Sequence, residues 1–193
     1  MQNILIAISS ILAFISYIVY IVAILKGEAK PHRTTRFVLV LITSLATASL
    51  FAQGSIVTIW LSGVFTFGCI IIFLLSLKFG MGGVAKTDIL CLILSLSGII
   101  IWKITSNPMY GLFASIAADL AAQIPMLIKT YRFPKTEVWT FYSLDVLASI
   151  FSLLALQRWT IQEFAYPLYI ILIDSATILL ILRPNIKQHK IAK

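Results

Sequence analysis

Apolar residues run through this chain in long blocks separated by short polar breaks. Seven blocks can be drawn, near 3–25, 37–53, 56–77, 88–103, 108–130, 138–156 and 163–182. Most approach the ~20 residues that a helix needs to cross the hydrocarbon core of a bilayer. The breaks are charged or rich in Gly and Pro: Lys26 to Arg36, Gln53-Gly54-Ser55, Lys78 to Lys86, Ser106-Asn107-Pro108, Lys129 to Glu137, and Gln157 to Glu163. The pattern predicts an all-α membrane protein with seven transmembrane helices. The first block has no basic leader and no A-x-A-like site after it, so it is expected to be a helix and not a signal peptide.

Composition agrees with the pattern. Sixty per cent of the 193 residues are hydrophobic and 11% are charged. A water-soluble fold of this length cannot hide that much apolar surface. The charge distribution adds orientation. Of the 15 basic residues, 13 fall in the odd-numbered breaks and the C-terminal segment, and only Lys103 and Arg158 fall in the even-numbered ones. By the positive-inside rule the N-terminus is expected outside and the C-terminus in the cytoplasm. The net charge of +8 then reports topology and contact with anionic headgroups. It does not predict nucleic-acid binding, because the basic residues are split among short loops with no stacking platform.

The two ends of the chain echo each other. Shifted by 105 positions, Tyr20 falls on Pro125, Leu25 on Thr130 and Lys78 on Arg183; the loop prolines Pro31 and Pro134 match at an offset of 103. Each half reads as helix, basic Pro-containing loop, helix, short polar turn, helix and basic stop. The expected plan is 3+1+3: a first three-helix bundle over 1–80, a connector helix within 81–106, and a second bundle with a basic tail over 107–193. One helix between two units of three keeps them in the same orientation, a parallel repeat about an axis along the membrane normal.

Pro125-Met126-Leu127-Ile128-Lys129-Thr130-Tyr131, followed by Thr136-Glu137 and by Trp139 at the start of the next helix, resembles the PQ-loop motif. The 3+1+3 plan is similar to that of the SWEET sugar transporters and their PQ-loop relatives. The resemblance covers nearly the whole chain in architecture and about fifteen residues in motif. It implies a carrier in which a helix proline acts as a hinge. That role carries over to Pro125 alone: Met126 stands where the family has Gln, and Tyr20 where the first repeat would have Pro. Relatives of this plan carry vitamin precursors or amino acids, so the resemblance leaves the substrate undecided. Independently of kinship, Pro125 removes the donor to the Ala121 carbonyl and is expected to bend or loosen its helix. Pro108 is expected to open the fifth block, Pro167 to sit in the first turn of the seventh, and Pro184 to stop it.

Seven acids are present, and three of them, Asp119, Asp145 and Asp174, fall inside the fifth, sixth and seventh blocks. A charge at the bilayer centre costs at least ~2.5–3.5 kcal/mol. These side chains are therefore expected to point inward, toward one another, water or a cation. No Lys or Arg is expected at their depth. A protonatable carboxyl beside a water path can relay protons, and an ionised one can seat a cation. Gln123 lies four residues after Asp119 on the same face, so Asp119, Gln123 and Asp174 are expected to form a polar cluster. The first half offers uncharged partners: Ser16, Tyr17 and Tyr20, then Thr43, Ser44 and Thr47, then Ser62 and Thr66. The candidate substrate- or proton-binding set is Asp119, Gln123, Asp145, Asp174, Tyr17 and Tyr20, with Pro125 as hinge. Trp60, Trp102 and Trp159 fit an outer interfacial belt and Trp139 an inner one. None falls at the midplane, where a sugar ring would stack.

Other chemistries find no support in the residues. The Gly-x-Gly-Asp setting of membrane aspartyl proteases is absent, and no lysine stands deep in the seventh block for a retinal. Gly80-Met81-Gly82-Gly83 lacks phosphate-loop spacing and reads as a flexible turn. Cys69 and Cys91 read as packing residues, and no metal spacing involves them or His32 and His189. The expectation is a non-enzymatic, multi-pass membrane transporter of a small polar or cationic solute, in the inner membrane if the protein is bacterial, with no cofactor and no metal. Its partners are the solute and the bilayer, with a homo-oligomer as an option. A binding or sorting receptor on the same plan is the alternative.

Overall fold

The structure, a computed structural model, describes residues 2–82, 89, 93, 96, 97, 100, 104, 105 and 107–191, with side chains described as far as Arg183. Six α-helices are described: α1 (Gln2–Leu25), α2 (Arg33–Ala52), α3 (Thr58–Phe79), α4 (Pro108–Arg132), α5 (Trp139–Leu154) and α6 (Ile161–Ile191). A single 3-10 turn, Pro134–Thr136, joins α4 to α5. Five of the helices are long and apolar enough to cross a membrane, and α5, with 16 residues, is shorter. The expected fourth block lies largely outside the described residues, with Gly83, Lys86, Asp88, Cys91, Trp102 and Lys103. The side chains of the Lys187–Lys193 tail, including His189, also lie outside them.

The six helices close a ring. α1 packs on α3, α3 on α2, α2 on α4, α4 on α6, α6 on α5, and α5 back on α1. The ring is built inside out relative to a soluble bundle. On α1 the large residues Ile4, Ile11, Phe14, Ile18, Val22 and Leu25 are exposed, while Ser9, Ala13, Ser16 and Tyr20 are buried. Lipid is as apolar as leucine, so large side chains can face outward, and small or hydroxylated residues let helices approach closely.

Helix starts differ from expectation where capping decides them. α2 begins at Arg33, four residues before the expected 37, because the His32 ring accepts from the Thr35 backbone N–H at 3.4 Å. Arg33 and Arg36 therefore belong to a helix and not to a loop. α6 begins at Ile161, which puts Pro167 in its second turn and not its first. Proline at 167 supplies no N–H to the Glu163 carbonyl, and the Thr58 hydroxyl donates to that carbonyl instead, at 2.9 Å. α6 also continues past Pro184 to Ile191, so that proline does not stop it. α4 runs unbroken through the buried Pro125.

The basic loops meet at one end of the ring. Lys30 N–H donates to the Thr136 carbonyl at 3.1 Å, and Arg33 N–H to the Met81 carbonyl at 3.1 Å. Met81 N–H donates to the Pro31 carbonyl at 3.0 Å, so Gly80 to Gly82 is a bonded strap and not a free turn. Gly82 has φ +88° and lies so close to the His32 ring that a Cβ would meet it at 2.5 Å. At the opposite end, Ser55 and Thr58 at the start of α3 donate to the Glu163 carboxylate at 3.1 and 3.0 Å.

Candidate functional site

Every helix of the ring contributes to one interior polar chamber. Asp119 and Gln123 enter it from α4, Asp145 from α5, Asp174 from α6 and Tyr17 from α1. Five of the six expected binding residues thus share one wall-to-wall space, although their helices are far apart in sequence. Each of the three carboxyl side chains is 4–6% exposed. The chamber volume is about 40 Å³, room for roughly three waters.

The chamber also holds a cation. Arg36, one turn inside α2, lines it beside Leu39 and Thr43. The expectation that no Lys or Arg shares the depth of the acids is corrected here, because the early start of α2 carries Arg36 off the loop and inside. Among the described residues, no acid lies within ion-pair distance of its guanidinium. It donates to the Tyr20 hydroxyl at 3.1 Å and sits 4.9 Å over the Tyr20 ring and 5.9 Å over that of Phe141. Cation–π contact thus supplies part of what water would.

Tyr20 does not line the chamber. It belongs to a second polar layer toward the basic end. Its hydroxyl accepts from Arg36 and donates to Glu137 Oε2 at 2.7 Å. Tyr142 also donates to Glu137 Oε2, at 2.9 Å. Lys129 Nζ donates to Glu137 Oε1 at 2.5 Å and to the Lys30 carbonyl at 2.7 Å. Glu137, read from sequence as a loop acid, is buried at the hub of this layer. A chain of contacts therefore runs from the chamber wall at Arg36 to the loops that close the ring.

The remaining hydroxyls divide. Ser16 of α1 bonds Asp145 Oδ1 directly, and Ser9 donates to the Ala148 carbonyl at 2.7 Å, so α1 and α5 are joined by polar contacts. On the opposite seam, between α2 and α4, the corresponding packing is apolar: Val38 and Ile42 against Ala118 and Ala122. Thr43 lines the chamber while donating to the Leu39 carbonyl at 2.7 Å. Thr47, Ser62 and Thr66 bond one another at 2.7 and 2.9 Å outside the chamber, and Ser44 is exposed. Cys69 is more than packing: it lines the chamber with its sulfur 3.5 Å from the Tyr17 hydroxyl. Trp60, Trp139 and Trp159 are exposed, as interfacial anchors would be.

Sequence reasoning missed Arg36 and Glu137. Arg36 left a trace: Arg36, Leu39 and Thr43 share one helix face at i, i+3 and i+7. Glu137 left none, because its partner Tyr20 is 117 positions away.

Tyr17 is held in place by a glycine. A Cβ on Gly68 would fall 2.2 Å from the Tyr17 ring. Gly68→Ala is expected to push that ring from the chamber wall and to destabilise the protein by about 1–3 kcal/mol. Thermal unfolding in nanodiscs checks this. In a Tyr17→Ala background, where the ring is gone, Gly68→Ala should cost less than half as much as in the parent, and an equal cost would place the damage elsewhere.

No family profile, curated protein or solved structure matches this chain.

Proposed function

We propose that this protein is an integral membrane carrier of a small polar or cationic solute that works by alternating access. The carrying observation is the chamber: three carboxyls and a glutamine, buried in a chain otherwise built for lipid, are gathered by all six described helices around one small space. Buried acids without a functional use would be costly to keep there. A chamber carboxyl that gains and loses a proton can also link solute flux to a proton gradient.

The packing supports two three-helix units. Within each, the first and second helices both pack on the third: α1 and α2 on α3, and α4 and α5 on α6. Between them the contacts cross, first helix to second helix in both directions: α1 on α5 and α4 on α2. That reciprocity is what a two-fold axis along the ring would generate. Gly82 stands at the basic end and Asn107 at the other, a whole helix length apart. These relations support the PQ-loop and SWEET-like 3+1+3 reading, with the chamber between the units as in other repeat carriers. Pro125, inside α4 beside Gln123, is the proposed hinge. The Glu137 layer closes the chamber toward the basic end, and the proposed topology makes that end cytoplasmic.

A flux screen in proteoliposomes, with and without a pH gradient, tests the carrier reading. Accumulation of a small cationic or polar solute is expected. Binding without flux for every solute bound would favour the receptor alternative. The topology has its own check. A cysteine placed at Thr136 should resist an impermeant thiol reagent added to intact cells and react after permeabilisation, and reaction in intact cells would invert the assignment.

A further inference from the structure

Two acceptor atoms of the chamber complete no hydrogen bond among the described residues, and the one internal donor that faces Asp119 is the buried Tyr169 hydroxyl, itself without a completed bond. Asp119 Oδ1 and Gln123 Oε1 are buried without a hydrogen-bond partner, on residues only 5% and 9% exposed. They stand four residues apart on α4, on the face that lines the chamber. Buried acceptors are normally paired, and leaving one unpaired is costly. Asp145, by contrast, is already engaged by Ser16. Arg36 is the only cation among the described lining residues, yet it is turned to Tyr20 and makes no bond to Asp119 or Gln123. Arg36 therefore occupies one pole of the chamber and leaves the α4 pole with the Tyr169 hydroxyl beside Asp119 and no donor on Gln123 Oε1, room for an external donor between them.

We propose that Asp119 and Gln123 form a recognition subsite for a cationic N–H donor, an ammonium or guanidinium headgroup carried by the solute. This rests on the chamber being a solute site and adds the class of group that it recognises. An acid and an amide oxygen together call for hydrogen-bond donors, and the ionised acid favours donors that carry positive charge, which N–H groups supply. Two acceptors one turn apart suit a group with several divergent N–H bonds. A chamber of about 40 Å³ admits a headgroup of that size and little more.

The test uses the full-length protein in nanodiscs, with its melting midpoint followed at constant ionic strength. Methylguanidinium and methylammonium supply charge with donors. Tetramethylammonium supplies charge without donors, and urea supplies donors without charge. The first two are expected to raise the midpoint by about 3–6 °C at roughly ten times their Kd; the last two are expected to leave it unchanged. Gln123→Leu and Asp119→Asn should each cut the rise to about a third or less while keeping the size-exclusion profile of the parent. Equal shifts with tetramethylammonium or urea, a full shift in both variants, or no shift with any probe would overturn the subsite. The carrier reading stands or falls separately: flux of a neutral solute with no probe shift sinks the subsite alone, and probe shifts without flux of any solute sink the carrier alone.

Discussion

Glu137→Gln is expected to destabilise the protein by about 3–5 kcal/mol, the usual cost of removing one partner from a buried ion pair. The Glu137 side chain is fully buried and that of Lys129 is 6% exposed. Three donors converge on the carboxylate: Lys129 on Oε1, and Tyr20 and Tyr142 on Oε2. A glutamine of the same shape offers one acceptor oxygen and puts an amide donor where the other acceptor stood. At least one hydroxyl or the ammonium then faces a donor, and the Lys129 charge keeps only the Lys30 carbonyl. Denaturant or thermal unfolding in a fixed detergent measures the loss, with Glu28→Gln, on an exposed loop residue, as a control expected within about 0.5 kcal/mol of the parent. Lys129→Met combined with Glu137→Gln should cost less than the two single changes added, since the lone charge is gone. A Glu137→Gln protein as stable as the control would mean that the layer does not hold the ring closed.

Asp119→Asn is expected to lower solute binding or flux by about 10–150-fold, the equivalent of one charge-assisted hydrogen bond at ~1.5–3 kcal/mol. Asparagine keeps the shape and one acceptor, so the ring should assemble, and the change isolates the charge. Glu28→Gln changes an acid outside the chamber and should leave flux alone. Proteoliposome flux, or binding in nanodiscs, compares the two at matched protein. Equal and negligible effects would remove Asp119 from the site and leave its burial as a matter of packing.

The two expected results rest on residues that differ in how legible they were. Asp119 could be found by reading: an acid in the middle of an apolar block must turn from lipid, and Gln123 one turn later marks the same face. Asp145 and Asp174 obey the same rule, and the structure gathers all three. Glu137 could not be found in that way. It follows a basic loop, where an acid is ordinarily solvated, and only the approach of α1 brings Tyr20 to it. Arg36 lies between these cases: it shares a face with Leu39 and Thr43, but the dense run of basic residues argued for a loop, and only the His32 ring cap shows that the helix starts before it.

Hydropathy, spaced breaks and the placing of acids within apolar blocks were enough to determine a multi-helix membrane chain with inward-facing carboxyls, because the cost of polar groups in hydrocarbon acts on each helix separately. Which helices would be neighbours, that Arg36 would join the acids, and that Glu137 would bind two tyrosines and a lysine were decided only when the ring closed. Those contacts link residues separated by as many as 139 positions, and a pairing over that distance is set by how helices pack against one another and not by any local preference of the chain.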